Sequence, residues 1–197
     1  SKLRDCSDTL EYFCKVVTDL GERLGPVLFQ LPPTFKKDAD VLSAFLRELP
    51  SMRAAFEFRH ESWFDDEIFD LLCARNIALC IADTDTIATP EKITADYGYL
   101  RLRREGYSEE DVKRWSEFVR ERSTDWTDAF VYFKHEESGV GPKLAQAMLE
   151  RRIVELDHGE GLGRRQERHL GAALVVRGAH RARDPRLPWG HPGGLPL

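Results

Sequence analysis

The stretch Ala54-Ala55-Phe56-Glu57-Phe58-Arg59 decides how the chain is read, because apolar and charged residues alternate one by one along it. Tyr99-Leu100-Arg101-Leu102-Arg103 and Ala129-Phe130-Val131-Tyr132-Phe133-Lys134 repeat the pattern. In an extended strand successive side chains point to opposite faces. Phe56 and Phe58, Leu100 and Leu102, and Val131 and Phe133 therefore share one parity. Glu57 and Arg59, Arg101 and Arg103, and Tyr132 and Lys134 share the other. Two further short apolar runs, Val27–Leu31 and Ile77–Ala82, end on Gln30 and Asp83. A strand in a doubly wound sheet is covered by helices on both faces and reads as continuously apolar. Strands with one apolar parity, and a second that turns polar toward the C-terminal end, fit a barrel whose lumen opens in a polar mouth.

Segments of helical period separate these strands. Ser7–Leu24 carries Leu10, Phe13, Val16, Val17 and Leu20 near helical spacing and is stopped by Gly25-Pro26. Asp38–Leu49 places Val41, Leu42, Phe45 and Leu46 on one face. Asp65–Arg75 has acidic residues in its first turn, favourable to the helix dipole. Ser108–Arg122 opens on a capping-box-like Ser108-Glu109-Glu110-Asp111, and a last helix runs from Pro142 to about Arg152. Helix and strand alternate five times, which calls for an α/β fold with a parallel sheet. The predicted fold is a parallel, TIM-like βα-barrel with about five of eight βα units.

Composition divides the chain. Residues 1–150 carry a net charge of −9, and residues 151–197 a net of +4 in which all nine basic residues are Arg. That second segment holds 8 of the 14 glycines and one aromatic, Trp189, which is too little apolar surface to offset ordering entropy. The expected division is a partial βα-barrel domain over 1–150. The remainder is read as a basic Arg/Gly/Pro-rich tail, disordered or foreign to the domain, with 172–197 making no packed contact with the core. The overall charge of −5 argues against a surface that binds nucleic acid throughout, while leaving room for a local basic groove. No apolar run reaches membrane-spanning length. Cys6, Cys14, Cys73 and Cys80 form no C-x-x-C pair, so zinc-ribbon and thioredoxin chemistry lack their signature, and reduced thiols in the cytoplasm are expected.

Four segments carry a family resemblance: Gly25-Pro-Val-Leu-Phe-Gln-Leu-Pro-Pro33, Phe56-Glu-Phe-Arg-His-Glu-Ser-Trp63, Thr94-Ala-Asp-Tyr-Gly-Tyr-Leu-Arg-Leu-Arg103 and Phe130-Val-Tyr-Phe-Lys-His-Glu136. In this order, between about Leu10 and Leu149, they resemble successive motifs of the YecE family, the domain of unknown function 72. The resemblance implies an eight-stranded βα-barrel whose last five strands correspond to the five here. The family's opening Gly-Thr-Ser-Gly-Trp-like and Glu-Ile-Asn-like strands have no counterpart, so the chain reads as a fragment, with free edges expected at 27–31 and 129–133. Many relatives carry His-Gly after the Tyr-x-Arg-x strand. Here Arg103-Arg104-Glu105-Gly106 stands, and no role for that histidine carries over. Some relatives have Asn at the place of Lys134.

The polar parity supplies the candidate site. Glu57, set between two phenylalanines, must be paired or hydrogen-bonded or its pKa will rise. It is either a general acid/base or metal ligand, or the ion-pair partner of Arg59 or Arg101. Asp83 is a second carboxylate for the same work, or a turn residue before Thr84-Asp85-Thr86. Arg59, Arg101, Arg103 and Lys134 would converge at one lumen end, suited to a phosphate or carboxylate. Gln30 and Tyr132 join them as binding candidates. His60 and His135 follow strand ends as candidates for proton transfer, and His60 completes the catalytic set with Glu57 and Asp83. Trp63 stacks on a sugar or base, or plugs the rim. The loop Thr84–Asp96 is long enough to cover the mouth, and Gly139–Gly141 precedes a helix N-terminus. Neither a metal nor a cofactor is named by any spacing. Two functions follow: an enzyme, of hydrolase type, acting on a phosphate ester or nucleic acid, or a non-catalytic module that binds such an anion. An inactive fragment is the third reading.

Overall fold

The computed structural model describes residues 3–133, 139–156, 168–170 and 173–177. In chain order the elements are α1 (Ser7–Thr18), β1 (Val27–Gln30), α2 (Ala39–Glu48), β2 (Ala54–Glu57), α3 (Asp66–Cys73), β3 (Ala78–Asp83), β4 (Tyr97–Leu102), α4 (Glu109–Glu121), β5 (Asp128–Phe133), α5 (Val140–Leu156), β6 (Arg168–Leu170) and β7 (Ala173–Arg177). Local chemistry sets most of the boundaries. Asp38 accepts from Val41 N at the start of α2, and Asp65 from Glu67 N at the start of α3. Ser108 and Asp111 close a reciprocal capping box on α4. After α3, Asn76 takes φ +51°, a left-handed value that Asn tolerates, and turns the chain into β3. The first helix is shorter than its apolar spacing predicts: it stops at Thr18, and Gly21 at φ +53° opens a 3₁₀ turn, Gly21–Arg23, in its place.

The strands form one sheet in the order β1-β2-β3-β4-β5-β7-β6. The first five pair in parallel, with Gln30 opposite Glu57 and Ala82 opposite Arg101. The sheet is curled. In a flat sheet β2 and β5 would stand about 14 Å apart, yet Arg53, just before β2, bonds Asp128 at the start of β5 at 2.6 Å. This is the α/β, βα-barrel type of sheet that the alternating pattern predicts. Among the described residues it does not close on itself.

The parity expectation holds on both faces. Phe56 and Phe58 pack outward against Leu42, Phe45, Leu46, Ile68 and Leu72 of α2 and α3. Leu100, Leu102, Val131 and Phe133 pack outward against Val112, Trp115, Phe118 and Val119 of α4. The inner face carries Ala55, Ala78, Cys80, Tyr97, Tyr99 and Phe130. No helix among the described residues is long and apolar enough to cross a membrane.

Two expectations about the second segment need correction. Residues 172–197 were expected to make no packed contact, and the edge of β5 was expected to be free. Instead Ala173–Arg177 pairs antiparallel with β5, from Asp128 opposite Arg177 to Tyr132 opposite Ala173, and β6 pairs with β7. The reason is local: Ala173-Leu174-Val175-Val176-Arg177 is a short run with β-branched residues, able to satisfy an open edge, and it is hidden inside a glycine- and arginine-rich composition. The remaining residues of 172–197 lie outside the described ones.

Candidate functional site

The polar residues gather at the C-terminal ends of the parallel strands. Glu57, the last residue of β2, is 2% exposed and accepts three side-chain bonds. Gln30 Nε2 of β1 donates to Oε1 at 2.9 Å, Arg59 Nε donates to the same oxygen at 3.1 Å, and Arg101 Nη1 of β4 donates to Oε2. Arg101 reaches Glu57 across β3, and the residues of β3 between them are small. Cys80 and Ala82, the latter opposite Arg101, line the inner face there, which leaves a shallow lane for the two long side chains. A Leu or Phe at Cys80 would block it. Burial pushes the Glu57 carboxyl up. The Arg101 hydrogen bond, the Gln30 hydrogen bond, the Arg101 charge and the Arg59 hydrogen bond together outweigh burial and hold it below the ordinary carboxylate value. Glu57 is thus an ionised anchor for two guanidinium groups, and its proton is not available for general-acid work near neutral pH. Both roles read from the sequence were open; the geometry is that of the ion pair.

Beside this anchor lies a cavity of about 330 Å³, lined by Glu57, Arg59, Arg103, Pro33 and the residues Thr84 to Ile87. Arg103 follows β4 on the inner parity. Its backbone N–H donates to Asp83 O at 2.8 Å, and among the described residues its guanidinium meets no carboxylate within ion-pair distance. The Thr84–Asp96 loop does reach the mouth. Thr84 Oγ1 donates to Ile87 O at 2.7 Å and accepts from Ile87 N at 3.1 Å, and this tight turn sets Asp85 at the cavity wall. Asp85 is a lining residue that the strand alternation could not single out; the signal was the run Asp83-Thr84-Asp85-Thr86 directly after a strand. Deeper on the inner face, Tyr132 packs against Tyr99 with ring centroids 5.0 Å apart and the rings tilted by 34°. Burial raises the pKa of both.

The structure does not bring the other candidates to this cavity. Asp83 has the outward parity: it accepts from Tyr107 Oη at 2.9 Å and Trp115 Nε1 at 3.2 Å, and lies 3.8 Å from Arg104 Nε. It ties β3 to α4 and to the loop that precedes it. His60 caps the 3₁₀ turn Glu61–Trp63, its Nδ1 accepting from Ser62 N at 3.1 Å. Trp63 is fully buried, stacked on Phe58 at 4.9 Å and 8°, with Nε1 donating to Phe35 O at 2.6 Å. It belongs to the core between the sheet and the helices, on the outward side of β2, so it neither plugs the rim nor offers a ring face to a ligand. Lys134 and His135 lie outside the described residues. Gly139 stands just before α5, which begins at Val140, so Gly141 lies inside the helix rather than ahead of it. No group of three metal-ligating side chains occurs among the described residues.

A curled parallel sheet with helices outside, and a polar mouth at the strand C-termini, defines a βα-barrel protein. Its sequence matches the family described as "Protein of unknown function DUF72" over residues 1–165, and the chain belongs to that family. Three solved structures of DUF72 family proteins are similar to it. One, from Thermotoga maritima, is 24% identical, with a TM-score of 0.61 over 77% of this chain and 66% of that one. A protein from Enterococcus faecalis is 18% identical in two crystal structures. The TM-scores are 0.61 over 83% of this chain and 70% of that one, and 0.58 over 79% and 70%. The chain thus spans about two thirds of the length of these relatives. No curated protein matches it.

Proposed function

We propose that the mouth of this sheet binds a phosphate ester, with Arg103 and Arg59 as its ligands and Glu57 as the residue that positions Arg59 and Arg101. The observation that carries the reading is the unengaged fork of Arg103: the cavity wall holds Arg59 and Arg103 with Glu57 and Asp85, Glu57 is taken up by Arg59 and Arg101, and Arg103 opens on the cavity without a carboxylate partner among the described residues, next to Arg59, whose Nε alone is engaged by Glu57. A guanidinium offers five N–H donors in a planar fork, and a phosphate accepts two of them at once. Arg59 bonded through Nε keeps its terminal nitrogens for such a ligand. Asp85 on the same wall is placed to accept from a ligand hydroxyl and to repel an anion without one. The low pKa of Glu57 favours binding and orientation over acid catalysis by that residue.

Calorimetric titration of the full chain with glucose 6-phosphate, with p-nitrophenyl phosphate and with a short single-stranded oligonucleotide tests this. Arg103→Ala should weaken binding of the two esters roughly 10- to 100-fold, the worth of one charge-assisted contact. Equal affinity in wild type and variant refutes the assignment. Preference for the oligonucleotide would identify the ester as part of a nucleic-acid backbone. Release of p-nitrophenol by wild type would add turnover to binding.

A further inference from the structure

A second cationic recess lies at the other end of the sheet, where no residue of the mouth reaches. Its volume is about 750 Å³, within the range of pockets for nucleotide-sized ligands. Its walls are the C-terminal end of α2, the turn after α3 and the chain entering β2. They supply Arg47, Arg53 and Arg75, together with Met52, Asn76 and Tyr97, and no Asp or Glu.

Each arginine is held by a contact that leaves most of its donors unused. Arg75 Nη2 donates to the Leu49 carbonyl at 2.6 Å, which fixes the fork in the wall. Arg53 lies over the Tyr97 ring, 5.2 Å from its centroid, and donates to Asp128 at 2.6 Å and Thr127 at 3.2 Å. Arg47 donates to Ser43 Oγ at 3.0 Å and is exposed. Of the three, only Arg53 has a carboxylate within ion-pair distance among the described residues. Tyr97, whose hydroxyl donates to the Ala54 carbonyl at 2.8 Å, is a rigid floor. A cation at the C-terminal end of a helix complements the helix dipole, which accounts for Arg47 in the last turn of α2 and Arg75 just after α3. It does not account for both opening, with Arg53, on one cavity that contains no acid.

We infer that this recess is a binding site for a diphosphate group, Arg47 and Arg75 gripping it from the two helix ends and Arg53 from the sheet. Two linked phosphates fit the forks of Arg47 and Arg75 better than one does, because each fork can take one phosphate in a bidentate contact, while Arg53, with its terminal nitrogens on Asp128 and Thr127, adds its charge. The apolar edge of Met52, Leu49 and Ile77 leaves room beside it for an organic moiety. The site is independent of the mouth: no lining residue is shared.

The test is calorimetric titration of the full chain with inorganic pyrophosphate and with ADP, in an Arg103→Ala background that disables the mouth. One equivalent should still bind. Adding Arg47→Ala and Arg75→Lys, which retain charge at position 75 and a donor for Leu49, should weaken that equivalent by about tenfold or more. Circular dichroism and the melting temperature should stay within reach of the parent, and Arg47→Ala alone, on an exposed helix end, serves if the double change unfolds the chain. Tighter binding of ADP than of pyrophosphate would identify a nucleotide, and equal affinity a bare diphosphate; either supports the site. Absence of binding by both in the Arg103→Ala background, or binding unchanged by Arg47→Ala and by the double change, overturns it. Failure of the mouth assignment would instead show as no difference between wild type and Arg103→Ala.

Discussion

Replacing Glu57 by Gln should cost the chain about 2–3 kcal/mol and flatten its acid stability profile. The side chain keeps its shape, but one of its two acceptor oxygens becomes a donor that faces either Arg101 or the Gln30–Arg59 pair. Breaking a fully buried ion pair from one side costs about 3–5 kcal/mol. Glu57 is 2% exposed at its side chain, while Arg59 and Arg101 are 35% and 22% exposed, so water compensates the arginines in part and the cost falls to about 2–3 kcal/mol, at or just below the low end of that range. For a chain of this size, 1 kcal/mol shifts the melting temperature by about 2–4 °C, so a fall of roughly 4–12 °C is expected. The pH dependence has a definite sign. The folded carboxyl titrates below its ordinary value, so its stabilisation is fully present above about pH 4.5 and is lost as pH falls through the lower folded value. Urea denaturation of wild type and Glu57→Gln from pH 7 to pH 3 reads both effects: the gap between the two should be constant above pH 5 and narrow below it. A variant within 0.5 kcal/mol of wild type at pH 7, or a gap that widens on acidification, would refute the anchor.

Asp83→Asn should destabilise the chain by about 1–2 kcal/mol through weaker acceptance from Tyr107 and Trp115, without changing phosphate-ester affinity at the mouth; a loss of affinity with no loss of stability would return Asp83 to the site. Gly98→Ala would bring a Cβ within 2.6–2.7 Å of the Trp126 ring, so a destabilisation of about 1–3 kcal/mol is expected, with altered tryptophan emission. An unchanged denaturation midpoint and spectrum would mean that β4 and Trp126 can separate at no cost.

The mouth and the outward core were legible because a strand alternates with period two. Once Phe56 and Phe58 are assigned to the helices, Glu57 and Arg59 have no other face, and Arg101 and Arg103 follow by the same rule. Periodicity ranks faces and says nothing about distance. That Arg101 crosses β3 to reach Glu57 depends on the small inner residues of β3 and on the curl of the sheet, both properties of neighbours. Asp83 shows the reverse limit. It ends its strand as Gln30 does, but its parity is outward, and Tyr107 and Trp115, 24 and 32 residues further on, claim it. His60 and Trp63 follow a strand end where ligands often bind, and only packing reveals one as a turn cap and the other as a core ring.

The sequence by itself determined the alternation of helix and strand, the side of each strand that meets the helices, and the family, because these rest on period, on caps and on motif order along the chain. Tertiary structure alone decided which cations share a cavity and which carboxylate anchors them. It also decided that 173–177 completes the edge of β5, and that three arginines separated in sequence line one recess at the far end of the sheet. Those outcomes depend on separations set by strand register and sheet curvature, and a one-dimensional pattern contains no such lengths.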